Sequence, residues 1–489
     1  MCFLKRMAAV PAAFIICGVI TLAASCGSVQ RASVPEVPAI TEEPPAERFI
    51  DKLRARLESG DIDGAIALFD ELPPEEAALK RNRQLKASVL LSARRLQEAR
   101  EVAETLVSED ENDVESRYIL SNIEEASGRP KEQRLLLEKI VSASPDHVPA
   151  LNDLGQIFVS AKRLKDAASS FDRALAASPL DMSATIGRAN VYRLERKPNE
   201  AETLFNRAVE LYPGRSEPYC ERGRFYRETG EINKALADLE VAQTIDPDNY
   251  WIRYDKGRAL LETRRKPEAL VEFDAAIALN PDIFIAYVYS AGIRDELEDV
   301  DGAERDYETL ARLRPDYYFA FEGLGIQRMK KGKYAEAANA FAAAYKSAPN
   351  ESGYAMLAAV NMLKGGVKPH EVRPFVEQAM RKISREKLDY YVLRLFFDFS
   401  GDSDVIRRIE REKNQALKAR MMFYMANYYD IRGNPMLADK LFIEFRDMNR
   451  TDIVEWRLNE WIMKERSVRV GGAGDGTGSG GETGASEKS

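Results

Sequence analysis

The sequence predicts an all-α fold, a superhelical solenoid of αα-hairpins with about ten or more copies. Three observations predict it. Seven prolines, at 145, 179, 213, 247, 281, 315 and 349, stand 34 residues apart, a period that belongs to one supersecondary unit copied along a chain. Inside each period, apolar residues fall at i, i+3, i+4 and i+7 in two separate stretches, which makes two amphipathic helices per unit. Short side chains also recur at two fixed places in each copy, where helices can approach closely.

With Pro179 as position 32, a unit starts at Val148. Leu151, Leu154, Gly155 and Phe158 then occupy positions 4, 7, 8 and 11, and Ala167, Phe171 and Ala174 occupy 20, 24 and 27. Position 20 is Ala167, Ala201, Ala235, Ala269, Ala303 and Ala337 in six successive units, and position 8 is always Gly or Ala. Positions 8 and 20 are therefore expected to be the crossing point of the two helices. Position 24 reads Phe171, Phe205, Leu239, Phe273, Tyr307 and Phe341, a large group expected to fill the gap beside the next unit's first helix. The proline ends the second helix, and Asp146, Asp181, Asp248, Asp282 and Asp316 stand where a carboxylate can cap the next one.

These residues resemble the tetratricopeptide repeat (TPR), whose pattern is a bulky residue at 4, Leu-Gly at 7 and 8, Tyr at 11, Ala at 20, Phe at 24, Ala at 27 and Pro at 32. The likeness covers 148–351 as regular repeats. It departs at position 7, where Arg188, Arg222 and Lys256 replace leucine; their charges are expected to reach water along the surface.

Counting back gives divergent copies over 46–147: a unit from 114 with Gln133 at position 20, one from 80, and one from 46 in which Pro73 and Pro74 are out of place. Residues 352–418 lose the proline and alanine marks but keep helical stripes, enough for one or two further hairpins. The register returns at Ala419, with Met422, Ala426, Tyr429, Gly433, Ala438 and Phe442, and a last helix carrying Val454, Leu458, Trp461 and Ile462 reads as a cap within 419–466. Such an array is expected to curve and present a concave face.

At the N-terminus, Lys5 and Arg6 precede an uncharged run over 7–25 and Cys26, the pattern of a secretory signal over 1–26. Leu22-Ala23-Ala24-Ser25-Cys26 resembles a bacterial lipobox with its leucine one place further from the cysteine. That resemblance implies cleavage before Cys26, lipidation of it, and a place in the cell envelope on the extracytoplasmic, periplasmic side. Gly27 and Ser28 lack the acidic residue associated with inner-membrane retention, which favours the outer membrane. The alternative is an uncleaved transmembrane anchor; either reading exports the repeats, because the positive residues stay inside. Residues 27–45, with four prolines, read as an extended tether, and 467–489 as a disordered Gly/Ser-rich tail.

Of four cysteines, Cys2 and Cys17 leave with the signal and Cys26 takes lipid, so Cys220 alone remains and no internal disulfide is expected. Net charge is −8, with acidic and basic residues interspersed, which opposes nucleic-acid binding. Only two histidines, His147 and His370, are present, no His/Cys spacing suits a metal, and no nucleophile motif can be assembled. Gly476, Gly478 and Gly481 satisfy GxGxxG without a strand before them or a helix after, and Glu124 with Glu125 reads as a solvated face. Neither an enzyme nor a cofactor is expected.

The resemblance implies a groove for a protein or peptide partner, lined by first-helix positions 2, 5, 9, 12 and 13. On this sequence those are Asn152 and Gln156, Asn190 and Arg193, Arg224 and Arg227, then Trp251, Tyr254 and Arg258. Guanidiniums there suit bidentate bonds to an acidic group on the partner; alternatively they only pair with Glu221, Glu228, Asp255 and Glu262. The aromatics Tyr287, Tyr289, Tyr317, Tyr318, Phe319 and Phe321 read chiefly as core between units, with some able to reach the groove. The expected role is a membrane-anchored scaffold for an envelope complex; the alternative is a ligand-binding lipoprotein serving a transporter, which would need an enclosed apolar pocket.

Overall fold

The computed structural model describes residues 45–472, so the signal, Cys26, residues 27–44 of the tether and residues 473–489 of the tail lie outside it. The described residues form helices and no strand, and they divide at Ile245 into two compact units.

In the first unit the helices are α1 (Pro45–Glu58), α2 (Ile62–Ala67), α3 (Pro74–Ala77), α4 (Lys80–Ser92), α5 (Leu96–Glu109), α6 (Val114–Ala126), α7 (Pro130–Ala143), α8 (Val148–Ser160), α9 (Leu164–Ala177), α10 (Met182–Leu194), α11 (Pro198–Leu211), α12 (Ser216–Glu228) and α13 (Ile232–Ile245). The second unit holds α14 (Tyr250–Glu262), α15 (Lys266–Leu279), α16 (Phe284–Glu296), α17 (Val300–Leu313), α18 (Tyr318–Lys330), α19 (Tyr334–Ser347), α20 (Ser352–Lys364), α21 (Pro369–Met380), α22 (Leu388–Asp398), α23 (Asp402–Arg411), α24 (Gln415–Ile431), α25 (Pro435–Asp447) and α26 (Val454–Gly472).

Every helix opening a regular hairpin has 13 residues and every helix closing one has 14. The same faces therefore return each 34 residues, and within each unit a hairpin's second helix packs on the first helix of the next. Residues 352–418 contain two hairpins, α20–α21 and α22–α23. Of their four helices α20 keeps the regular 13 residues, but α21, α22 and α23 are shorter and α21 carries an internal proline, Pro374, which explains the lost spacing. Near the N-terminus α2 stops after six residues and Pro74 opens an extra turn instead of closing the unit. Phe49 and Phe69 still meet edge to face, with ring centroids 5.3 Å apart.

The alanines at position 20 are wholly buried in all six regular units. Position 8 is small for a further reason: it lies under the ring at position 24. A Cβ on Gly257 would stand 2.9 Å from Phe273, and one on Gly325 2.7 Å from Phe341. The same ring reaches the next hairpin, since a Cβ on Gly187 would collide with Phe171, and one on Gly323 with Tyr307. The large residue at 24 thus joins both helices of its own hairpin to the first helix of the following one.

Position 15, in the turn between the two helices, is left-handed in every hairpin that keeps the register. Glycine holds it at Gly128, Gly230, Gly332 and Gly433, but Arg94, Lys162, Arg196, Arg264 and Glu298 hold it with φ between 58° and 61°. A side chain in that region costs about 1 kcal/mol or more. Lys162 is exposed, and Lys162→Gly should raise stability by about 0.5 to 1 kcal/mol after the glycine's own chain entropy is set against it; a urea midpoint below wild type would contradict this.

Three expectations are corrected. Of the five aspartates expected as caps, Asp181 alone caps its helix, accepting from Ala184 N at 2.7 Å. Asp146, Asp248, Asp282 and Asp316 sit one residue too early; His147 and Asn249 cap α8 and α14 instead, while α16 and α18 have no side-chain cap. The position-7 cations do not extend into water. Arg222 grips Asp238 with two hydrogen bonds of 2.7 and 2.8 Å, Arg188 pairs with Asp172 at 2.7 Å, and Lys256 with Glu272 at 3.1 Å. Each carboxylate comes from a neighbouring second helix, which sequence periodicity along the first helix does not reveal. Glu124, finally, is buried, between Arg100 at 2.6 Å and Arg129 at 3.1 Å.

Candidate peptide-binding groove

In the first unit, α8, α10 and α12 carry six of the expected groove residues. Asn152 and Gln156, one turn apart on α8, are half-buried. Asn152 Nδ2 donates to Asp181 Oδ1 at 2.9 Å on the next hairpin, while its own Oδ1 is buried and accepts nothing. On α10, Asn190 is buried and donates to Glu221 at 3.3 Å, and Arg193 donates to Asn190 Oδ1 at 3.0 Å and to Glu228 at 2.5 Å. Arg224 binds Glu221 at 2.6 Å, one turn back on its own helix, and Arg227 is half-buried beside it.

The geometry brings Asn190, Arg193, Arg224, Glu221 and Glu228 together as a ladder from hairpin to hairpin. Two of the anticipated carboxylates, Glu221 and Glu228, are engaged by these arginines. An acidic partner would exchange those bonds for its own, which makes the face a polar, partly neutralised surface.

In the second unit α14 places Trp251, Tyr254 and Arg258 on one face. Trp251 and Tyr254 meet edge to face at 5.5 Å, and the Arg258 guanidinium lies over the Tyr254 ring at 5.7 Å. Tyr254 is 4% exposed and also touches Phe273 and Tyr289, so its ring belongs to the core between hairpins. Tyr289 stacks flat on Phe273 at 5.1 Å, and Tyr317 packs on Phe284. Of that aromatic set Phe319, at position 2 of its unit, is exposed.

Residues that sequence reasoning missed lie further along the second unit. Asp295, Glu322 and Gly353 occupy positions 12, 5 and 2 of three successive hairpins, and each is met by the region around α26. Arg457 donates to Asp295 at 2.7 Å and pairs with Glu322 at 3.6 Å; Lys464 pairs with Glu298 at 3.2 Å. Tyr424 of α24 donates to Gly353 O at 3.0 Å and to Glu455 of α26 at 2.7 Å. The last helix, expected only as a cap on α24–α25, therefore also reaches back to α16 and α18. The readable signal was Arg457 and Lys464 seven residues apart, a second stripe beside the apolar one.

Burial alone would disfavour ionisation of Asp295, but Lys330, Gln327 and Arg457 outweigh it and hold its pKa below the usual carboxylate value. Burial wins at Glu322 and Glu455, whose pKa values are raised although Tyr354 and Tyr424 donate to them and Arg457 and Arg420 stand near.

A broad hollow in the first unit, lined by Lys165, Ser169, Asp172, Arg173 and Glu195, is open and charged. This is not the enclosed apolar site that a small-molecule carrier would use.

Two tetratricopeptide repeat patterns match the chain, one over residues 85–148, 152–216 and 293–352 and the other over 226–290. None of the curated proteins matches. Among solved structures, a tetratricopeptide repeat protein from Parabacteroides merdae ATCC 43184 is 19% identical over 50% of this chain and 96% of its own, with a TM-score of 0.43. A monomeric mutant of IFIT1 with Gppp-AAAA is 14% identical over 82% and 90%, at 0.44, and the Cut9–Hcn1 complex is 15% identical over 64% and 62%, at 0.42. The repeat matches take in more than half of the 489 residues, and they coincide with the hairpins, their buried alanines and their position-24 rings: the chain belongs to the tetratricopeptide repeat family, a fold that generally scaffolds other proteins and does not catalyse.

Proposed function

We propose that this chain is a membrane-anchored, extracytoplasmic scaffold, tethered through a lipid on Cys26, that binds another protein along the first-helix faces of its repeats and helps assemble or hold a cell-envelope complex. The observation that carries the binding part is the ladder Asn190–Arg193–Glu221–Arg224–Glu228, which puts polar side chains from consecutive hairpins on one face. Hairpins that contact chiefly their neighbours supply such a face without a catalytic centre. Support for the anchor is the sequence from Leu22 to Cys26 and the charge pattern before it. The outer membrane is favoured over the inner one by the residues after Cys26.

The test is affinity capture from detergent-solubilised envelopes with wild type and with Arg193→Ala/Arg224→Ala, both within the first unit. A specific protein retained by wild type and reduced about tenfold by the double variant, a loss of about 1.4 kcal/mol, is expected; equal recovery would refute the role of the arginine face. Cys26→Ser should move the chain from the membrane to the soluble fraction, as fractionation and labelled-palmitate incorporation will read. Retention of the label would refute lipidation at this residue.

A further inference from the structure

His147 is one of two histidines in the chain, and it caps α8 where Ser, Asp or Asn is usual: its Nδ1 accepts from Ala150 N at 3.1 Å. That bond has no substitute. Pro149 brings no N–H to the first turn, Leu151 N is taken by His147 O at 3.1 Å, and Ala150 is wholly buried, so water does not replace a lost acceptor at its amide. The half-buried ring is also packed, with its centroid 5.2 Å from that of Tyr118 on α6, and Tyr118 Oη donates to Asp153 of α8 at 2.8 Å. From α9, Arg173 donates to Pro145 O, two residues before the cap, at 2.8 Å. Helices of two successive hairpins therefore meet around this turn.

An imidazole accepts at Nδ1 only while that nitrogen is bare, whereas the imidazolium donates from both nitrogens. A proton there sets a donor against a donor, beside the positive end of a helix. Burial is the largest influence on the ring and holds its pKa below the ordinary histidine value; Glu115 of α6 and a main-chain hydrogen bond within the residue act the other way without overcoming it. The remaining charged neighbours are Asp153, held by Tyr118, and Asp146, exposed in the turn. The stabilisation that His147 gives α8 is therefore complete above the unfolded-state pKa of about 6.5, and it is lost as pH falls through that value toward the lower folded one.

We propose that His147 is an acid-sensitive latch: uptake of a proton at Nδ1 releases the first turn of α8 and loosens the joint between the hairpins α6–α7 and α8–α9. The release travels one hairpin further, because Asn152, in the second turn of α8, donates at 2.9 Å to Asp181 Oδ1, the same oxygen that caps α10. Mild acid thus acts on the polar face that begins at Asn152. The inference needs neither the lipid anchor nor a bound partner.

The experiment is amide exchange on the full chain at about pH 7.5 and about pH 5.0, with each rate corrected for intrinsic exchange. Protection of Ala150 and the amides that follow it in the first turns of α8 should fall about tenfold in wild type between the two, since a group with an unfolded pKa near 6.5 favours the opened turn by that order. His147→Asn keeps a capping acceptor that does not titrate and should hold its protection constant, while His147→Ala should be poorly protected at both. Equal pH dependence in wild type and His147→Asn would overturn the proposal, as would wild-type protection that persists at the lower pH. Nitrogen NMR of the labelled histidine rings gives a reading that needs no variant. A bare Nδ1 with the hydrogen on Nε2 is expected at the higher pH, and a hydrogen on Nδ1 would overturn the latch. These outcomes leave the capture test with Arg193→Ala/Arg224→Ala untouched, so the two readings fail separately.

Discussion

Replacing Phe171 with alanine will lower the stability of the first unit by about 3 to 5 kcal/mol, the cost of deleting a fully enclosed ring and leaving its cavity. The ring has no exposed surface, and it presses on Gly155 in its own hairpin and Gly187 in the next. Neither glycine has a side chain that could swing in to fill the space, so the site can collapse only by moving backbone. In an array whose contacts run from neighbour to neighbour, the loss falls on the joint between α8–α9 and α10–α11. Hydrogen exchange should show these four helices opening at lower urea than α4–α7. A single transition at the wild-type midpoint would sink the prediction. Phe341, equally enclosed and pressed on Gly325, should behave alike in the second unit.

The second large effect concerns position 7. Arg222→Leu restores the residue that the repeat pattern favours there, yet it should destabilise by about 2 to 3 kcal/mol, because it strands Asp238 in a place where its side chain is only 9% exposed. Asp238→Ala should cost a similar amount, since Arg222 would lose its carboxylate and keep Asn206, at 2.9 Å, and its contacts with the Tyr219 and Tyr226 rings. The double variant Arg222→Leu/Asp238→Ala removes both charges and should recover most of the loss, lying within about 1 kcal/mol of wild type. Chemical denaturation of the four proteins gives the coupling energy directly. Additive losses would mean that the pair does not interact and that the arginine acts through its packing alone.

That pair also marks the limit of what a repeat pattern conveys. The hairpins, their order and their boundaries were legible because local rules repeat: the 34-residue proline spacing, the alanine at position 20 and the ring at position 24 each report a contact inside one hairpin or with the next. Where the register returns at Ala419 a hairpin stands, α24–α25, whose first helix begins four residues earlier at Gln415. What went astray were details depending on one residue of phase or on a partner elsewhere. Four of the five aspartates, all but Asp181, stand one residue before the cap, because an Asp just before a cap reads much like a cap in sequence. Glu124 was read as solvated because its arginines, Arg100 and Arg129, lie on other elements.

The candidate groove was legible only in outline. Asn190, Arg193 and Arg224 lie together on one face, as the positions of the repeat require, whereas Tyr254 lies in the core because Phe273 and Tyr289 close over it. The acidic seat at Asp295 and Glu322 was invisible, since neither residue is unusual among the many charges of the chain and nothing local links them to Arg457.

Sequence alone determined the helical hairpin, its length, its small crossing residues and its copying along the chain, because each depends on side chains within about 34 residues of one another. The tertiary structure alone decided which charges are buried together and where the last helix lies. Those outcomes join residues 16 to 166 positions apart, and such contacts depend on how hairpins are set in space, which no local period records.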